Sequence, residues 1–341
     1  MNFPYSDKLE IPRYAHLFDN MSECYKRFER YLELGDCILD LGFGSGRDSK
    51  YFLEKRYQVT SVEESPEICD AAKSFLPRVR QCFFPELDYV DSFHGVWACA
   101  SLSHVPKAEM KLVFQKVIRA LMDGGVLYVS YKYGDGERVK DGRIFTDYTE
   151  ESFSEFLKSF PELKLLNLWV SDDVSPENKE KWLNAVLRKQ FRAAKTETEF
   201  RVQHSKIITY YQLIEMHLKG ICSSLMSDSA REWFLKLDDY SSDAIGKLIS
   251  KMKSIQKEKK FEFFSKADFE RLNTIRLHRN YWCHECFGGE KPVVFQKQNG
   301  CPERVVKTGD AESMRSDLQE AFDANRWLTE ESRKAHHRLM Q

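Results

Sequence analysis

The sequence predicts an α/β fold in its first half, with a parallel sheet, and an all-α domain in its second half. Three observations support this. From residue 37 to about 170, short β-branched or aromatic runs alternate with amphipathic stretches. After about residue 190 the alternation stops and apolar residues recur at helical spacing. At 341 residues the chain exceeds what one core usually organises, so two domains are expected, 1–190 and 191–341.

The strand-like runs are CILDLG, YQVTSVE, FHGVWACA, GGVLYVSYKY and LKLLNLWV. Alternation of such runs with helical segments argues for parallel strands covered by helices on both faces. One intervening segment, VPKAEMKLVFQKVIRALMDGG, carries apolar residues at helical spacing and closes with glycines able to cap a helix. Beyond a polar connection between Lys189 and Thr196, the residues Ile207, Tyr211, Ile214, Leu218, Ile221 and Leu225 mark one face of a long helix. A second helix is expected from Lys266 to the Gly288-Gly289 stop, with Ser265 as its N-cap and Asp268 completing the first turn. A third covers Asp310 to Leu339. Between these two, KPVVFQKQNGCPERVVK reads as a short hairpin turning at Asn299-Gly300.

Composition argues for a folded chain: 42% of residues are apolar and 31% charged, and no apolar run is long enough to span a bilayer. The start, MNFPYSDKLEIPRYAH, lacks the basic-then-apolar pattern of a signal peptide. Nine scattered cysteines therefore read as reduced thiols in a cytoplasmic protein. A net charge of −1 gives no global reason to bind nucleic acid, so such a partner would need a local patch. The lysine-rich KLISKMKSIQKEKK, residues 247 to 260, is one, either as a solvated helix face or as a nucleic-acid groove.

The first candidate site is DLGFGSGRD, residues 40 to 48, between a strand-like run and a helical one. Gly42, Gly44 and Gly46 allow a sharp turn and close backbone approach by a cofactor lying across the strand end. A dinucleotide fingerprint would need glycine where this chain has Arg47, which weakens a nicotinamide cofactor. The pattern D-x-G-x-G-x-G remains. Asp40 would face the positive end of a ligand, and Glu63, ending the second run, would accept hydrogen bonds from two ribose hydroxyls. S-adenosylmethionine carries both an ammonium and a ribose. The plain alternative is that the glycines only make a tight strand-to-helix turn.

In order, ILDLGFGSGRDSKYF, VTSVEESPEICDAA, GVWACASLSHVPKAEM, GGVLYVSYKYGDGE and DGRIFTDYTEESF resemble a bacterial class I S-adenosylmethionine-dependent methyltransferase over roughly residues 5 to 188. The resemblance implies a Rossmann-like seven-stranded sheet with S-adenosylmethionine over the carboxyl ends of strands one, two and four. Carried over by position, Asp40, Gly42, Gly44 and Gly46 line the methionine side, Glu63 holds the ribose, and Ala98, Cys99 and Ala100 lie beside the cofactor. Phe43, Glu63 and His94 depart from the commoner cysteine or alanine, aspartate and aspartate. Methyl transfer is an in-line displacement in which positioning supplies much of the rate. His104, as a base or as a structural histidine, with Lys132, Arg143 and Tyr148, are the polar candidates on the acceptor side. The acceptor stays open between small molecule, RNA and protein.

The second candidate site is RNYWCHECF, residues 279 to 287. Phe269, Leu272, Ile275, Trp282 and Cys286 form an apolar stripe on which Arg279 also falls, and an arginine there needs an anion, a carbonyl or solvent. Three readings stay open. As a metal site, Cys283 and Cys286 make one C-x2-C pair near His284 and Cys301, but a structural zinc site commonly has two such pairs, so no metal is expected. As packing, the segment is a core helix with a surface histidine. As a nuclease site, it uses Arg279, Asn280 and His284, although Arg279 and His284 lie roughly 140° apart on an ideal α-helix. R-N-x-x-x-H in a helical domain resembles the R-x4-6-H motif of HEPN domains, over residues near 195 to 341. That resemblance implies a homodimeric, metal-independent ribonuclease in which Arg279 and His284 act on RNA and Asn280 positions them. The two resemblances together point to a toxin, phage-defence or RNA-processing role, with a toxin–antitoxin or defence partner. The alternative is a small-molecule methyltransferase whose helical domain only dimerises or binds a partner.

Overall fold

The computed structural model describes residues 21–140, 142–173, 180–227, 244–285, 293–298, 301–306 and 308–339, together with 229, 232, 236 and 237. The chain divides into two compact units, Met1–Gln190 and Phe191–Gln341.

The first unit is a seven-stranded sheet. Its strands are β1 (Cys37–Leu41), β2 (Gln58–Glu63), β3 (Val79–Gln81), β4 (Phe93–Ala98), β5 (Leu121–Lys132), β8 (Leu163–Asp172) and β9 (Lys181–Lys189), in the order β3-β2-β1-β4-β5-β9-β8. The first five run parallel. β9 pairs antiparallel with both β5 and β8, so the sheet is mixed rather than purely parallel as the sequence rhythm alone suggested. Strands β6 (Gly136–Lys140) and β7 (Arg143–Asp147) form a separate hairpin after β5, which the strand rhythm did not mark.

Period-two alternation sorts the strand residues between two cores. Ile38 and Trp97 face the helices α1 (Ser22–Glu29) and α2 (Arg47–Glu54), where they pack with Tyr25, Phe28 and Phe52. Leu39, Leu41, Val96 and Ala98 face α4 (Lys107–Ala120) and α5 (Glu150–Leu157), packing with Val113, Phe114 and Phe153. The shorter α3 (Pro66–Ala72) follows β2 and is capped by Ser65, whose Oγ accepts the Ile68 N–H at 3.3 Å. His94, a departure from the family pattern, fits within β4. Its Nδ1 accepts the Cys37 N–H at 3.1 Å, which puts the ring proton on Nε2, 3.7 Å from Asp36.

The second unit is helical, with α6 (Glu197–Met226), α7 (Ile245–Lys259), α8 (Lys266–Asn280) and α9 (Thr308–Leu339). The stripe from Ile207 to Leu225 is buried throughout, as are Phe269, Leu272, Ile275 and Trp282. Ser265 and Asp268 form the expected reciprocal capping box at the start of α8. The Gly288-Gly289 stop and the Asn299-Gly300 turn lie outside the described residues. The strands of the expected hairpin, β10 (Val293–Gln298) and β11 (Cys301–Val306), pair antiparallel.

Candidate functional sites

Parallel register brings the candidate cofactor residues together at one edge of the first sheet. β1 lies between β2 and β4, with Asp40 opposite Ser61 on one side and Trp97 on the other. The chain leaves β1 through Gly42 (φ +77°), Gly44 (φ +51°) and Gly46 (φ +79°) before entering α2. A Cβ on Gly42 would lie 2.3 Å from Ser101 Cβ, and one on Gly46 2.8 Å from the Phe75 ring. These two glycines are fixed by packing. A Cβ on Gly44 would meet nothing within 4 Å, so the middle of the loop borders open space.

Two carboxylates frame that loop. Asp40 is buried and accepts the Ser49 hydroxyl at 2.6 Å. Burial, then the nearby Asp48 carboxylate, pushes its pKa up to about 8. A buried acid of this kind suits a cationic ligand group. Glu63, at the end of β2, is partly exposed. It accepts the Gly44 N–H at 3.1 Å and the Glu64 N–H at 2.9 Å, so its carboxylate ties the glycine loop to the turn after β2. On the other flank, Ala98 ends β4 and Ala100 takes a left-handed φ of +55°, donating its N–H to Ser130 Oγ at 2.8 Å. Burial pushes the Cys99 thiol between them up to about 12.

The structure adds residues that sequence reasoning did not assign to the site. Arg47 donates to both carboxylate oxygens of Asp48, at 2.7 and 3.0 Å, and its Nη2 lies 3.7 Å from Cys99 Sγ. Asp48 also accepts from the Tyr25 hydroxyl and from Trp97 Nε1, the latter at 2.8 Å. Burial opposes its ionisation, but Arg47 and these donors hold its pKa below the usual value. Removing one partner from so buried a pair typically costs about 3–5 kcal/mol. Only Arg47 and Asp48 carry a signal in the sequence, since they follow the third glycine directly; Tyr25 and Trp97 arrive through the topology.

The acceptor-side candidates separate. His104 is exposed on one side, with its ring edge-on to Phe145 at 4.7 Å and its Nδ1 3.2 Å from the Ile144 carbonyl. Both partners belong to β7. A carbonyl only accepts, so Nδ1 carries the proton and Nε2 of the neutral ring holds the lone pair. Burial, with Arg143 and Lys132 adding to it, lowers the His104 pKa below the usual value. Lys132 is engaged: its ammonium pairs with Glu180 and lies 4.9 Å from the Phe145 ring centre. Arg143 is partly buried on β7. Tyr148 departs from the acceptor-side expectation, because its ring is 1% exposed and packs on Tyr131, Phe153 and Phe156. It belongs to the aromatic core.

In the second unit, Arg279 finds the anion its position demanded. Its Nη2 lies 3.2 Å from Glu215 Oε1 of α6, and its Nη1 donates to Asn280 Oδ1 at 3.4 Å. Next to it, Asp317 of α9 accepts from Trp282 Nε1 at 2.7 Å and lies 3.0 Å from His278 Nδ1. The α-helix does not continue through this motif. Residues Tyr281–Glu285 are π-helical. The wider π turn rotates the chain less per residue, so positions 279 and 284 lie closer around the axis than the 140° of an α-helix. The His284 side chain and Cys286 lie outside the described residues. No group of three His, Cys, Asp or Glu able to hold a metal occurs among the described residues. No helix there is long and apolar enough to cross a membrane.

Residues 38–125 match the family model described as a methyltransferase domain. No curated protein matches the chain. Among solved structures, the chain is similar to a 1,6-didemethyltoxoflavin-N1-methyltransferase from Burkholderia thailandensis, solved with 1,6-didemethyltoxoflavin and S-adenosylhomocysteine. That match has 25% identity, covers 50% of this chain and 77% of that one, and has a TM-score of 0.43. A SAM-dependent methyltransferase from Methanosarcina mazei matches at 19% identity over 49% of this chain and 99% of its own, with a TM-score of 0.44. One from Mesorhizobium loti matches at 16% over 48% and 97%, with a TM-score of 0.40. The matched residues span the glycine loop, both framing carboxylates and β4, and on that ground the first unit contains a class I methyltransferase domain whose cofactor is S-adenosylmethionine.

Proposed function

We propose that the first unit methylates an acceptor that must give up a proton. The supporting observation is the convergence of Asp40, Glu63, Arg47 and the open Gly44 turn at one sheet edge. Asp40 would face the ammonium of the methionine end and Arg47 its carboxylate, with Asp48, Tyr25 and Trp97 holding the guanidinium in place. Glu63 would take the ribose hydroxyls. Gly42 and Gly46 shape the loop, while Ala98, Cys99 and Ala100 form the wall after β4. Bound S-adenosylmethionine supplies an electrophilic methyl group on sulfur. His104, neutral at pH 7 and with its lone pair on Nε2, would accept the acceptor's proton; the β6–β7 hairpin orients its ring. Calorimetric titration with S-adenosylhomocysteine tests the assignment. Wild type should bind, Asp40→Ala and Arg47→Ala should each weaken binding at least tenfold, and equal affinity in Asp40→Ala would overturn it.

A second reading concerns the helical unit, and the Arg279–Glu215–Asn280 cluster at the α-to-π junction favours it. Single π turns within α-helices occur frequently at functional sites. In this reading the unit is a HEPN-like, metal-independent ribonuclease that pairs with a second copy. Arg279 and His284 act on the scissile phosphate and 2′-hydroxyl, and Asn280 positions Arg279. The fusion then serves a toxin, defence or RNA-processing role in the cytoplasm, opposite a cognate partner. Cleavage of labelled RNA should vanish in both Arg279→Ala and His284→Ala. Cleavage that survives both substitutions, or a strictly monomeric protein, would remove the reading and leave the helical unit as a partner-binding module.

A further inference from the structure

The connection between α7 and α8 carries a feature that neither site uses. A shallow, open depression of about 500 Å³ lies on the surface there, lined by Lys253, Lys257, Lys260, Lys266, Phe261 and a single acid, Glu262, among others. Lys253 and Lys257 are spaced at i and i+4, so they share one helix face, and Lys260 follows as the C-cap just beyond the helix. The opposite face buries Leu248, Met252 and Ile255 in the core. In a chain with net charge −1, four lysines to one acid is a local excess rather than a reflection of composition.

The aromatic groups are set among these cations. Phe261 is only partly buried, and Arg338 of α9 lies 4.5 Å from its ring centre. Lys253 lies 5.1 Å from the Phe269 ring centre, which orients its ammonium along the same wall. Lys266 has an acidic neighbour in Glu270, at 3.9 Å, but both side chains are exposed and the pair is weak.

Lys260 supplies an independent observation. It is the C-cap of α7 and sits in the left-handed region, at φ +55° and ψ +39°. Glycine or asparagine usually takes this place, and a side chain with a Cβ is strained there. A lysine held in this conformation beside a lysine-lined surface depression is the pattern expected where function opposes local stability.

We propose that this open surface binds single-stranded nucleic acid, with the lysines on phosphates and Phe261 as a stacking surface for a base. Cations following a groove beside an aromatic platform are what such a strand requires, and a base stacked on an aromatic ring tolerates any sequence. Lys253 and Lys257 stand about 6 Å apart along α7, and Lys260, Lys266 and Arg338 extend the positive surface beyond them. The inference stands apart from the Arg279 reading, because binding here needs no cleavage.

The test uses the full chain and a fluorescein-labelled 12-nucleotide oligothymidine, which lacks the 2′-hydroxyl and so reports binding alone. Anisotropy should show binding that weakens roughly fifty-fold between 50 and 200 mM salt if about four phosphates are engaged. Lys257→Glu combined with Lys260→Glu should weaken binding more than tenfold at low salt and flatten the salt dependence. Phe261→Ala should weaken it about five-fold or more while leaving the salt slope unchanged, because stacking releases no counterions. Lys260→Gly should act in opposite directions, raising the melting temperature by relieving the left-handed lysine yet weakening the oligomer. A merely structural lysine would not separate the two. The proposal is overturned if wild type does not bind at 50 mM salt, if the double charge reversal binds as wild type does, or if uridine monophosphate competes as well as unlabelled oligomer, mole for mole.

Discussion

Asp40 combines two properties that pull against each other: it is buried, and the proposed function needs it ionised. With its pKa raised to about 8, the free protein holds this acid protonated through the neutral range. A ligand ammonium favours the ionised form, so binding must release that proton below pH 8. The affinity for S-adenosylhomocysteine should therefore rise as pH increases from 6 to 8 and then level off. Proton release, measured by calorimetry in buffers of different ionisation enthalpy, should disappear in Asp40→Asn; a pH-independent wild-type affinity would contradict the assignment. Gly44 tests the loop from the other side. Alanine there has space but must adopt φ +51°, a strain of about 1–2 kcal/mol. Gly44→Ala should fold with a modestly lower melting temperature and lose most cofactor affinity, whereas Gly42→Ala should compromise the fold through its clash with Ser101. Asp40, the glycines and Glu63 were legible in the sequence because their meaning is local, each at the end of its own strand. Tyr25 and Trp97 were not, because they reach Asp48 across 23 and 49 residues of chain, which only the sheet order brings together. In the sequence Arg47 breaks a dinucleotide pattern; its pairing with the aspartate beside it shows only in the fold.

Elements were legible to the extent that local chemistry sets them. The stripe of α6 and the capping box of α8 depend on helical spacing and on a serine–aspartate pair three residues apart, and both are visible in one dimension. The antiparallel placement of β9 depends on a non-local pairing choice, and the π turn at Tyr281–Glu285 on how the end of α8 meets α6 and α9. The β6–β7 hairpin is not legible in the sequence because GERVK and RIFTD are five residues each and RIFTD places Ile144 and Phe145 side by side, so neither shows a clear strand alternation. Its consequence is measurable at His104. The Phe145 ring packs against one side of that imidazole, and burial there is the leading cause of its lowered pKa, opposed by the hydrogen bond to the Ile144 carbonyl. Truncating Phe145 to alanine should open the packed side of the ring to water as well and raise the His104 pKa toward the ordinary value of about 6.5. Nitrogen-15 resonances of labelled histidine, assigned by their loss in His104→Gln, would follow this. In wild type they should also show the proton on Nδ1 at pH 7. An unchanged pKa in Phe145→Ala would mean that the hairpin does not govern the imidazole.

At the scale of the whole molecule, each unit closes its own core. Every residue of the helical core falls between Phe191 and Ala335, and every residue of the sheet cores between Met21 and Leu187, among the described residues. Units with separate cores unfold as separate cooperative steps unless an interface couples them. Differential scanning calorimetry of the full chain should therefore resolve two transitions. S-adenosylhomocysteine at about one hundred times its dissociation constant should stabilise only the sheet unit, by about 2.7 kcal/mol. For a unit of this size that corresponds to a rise of roughly 5–10 °C in one transition while the other stays in place. Asp40→Ala should abolish the shift without moving the helical transition, and Arg279→Ala should leave the shift intact. A single transition that moves as a whole with ligand would show the two units to be energetically one. Cofactor occupancy in the first unit would then bear directly on any chemistry carried out by the second.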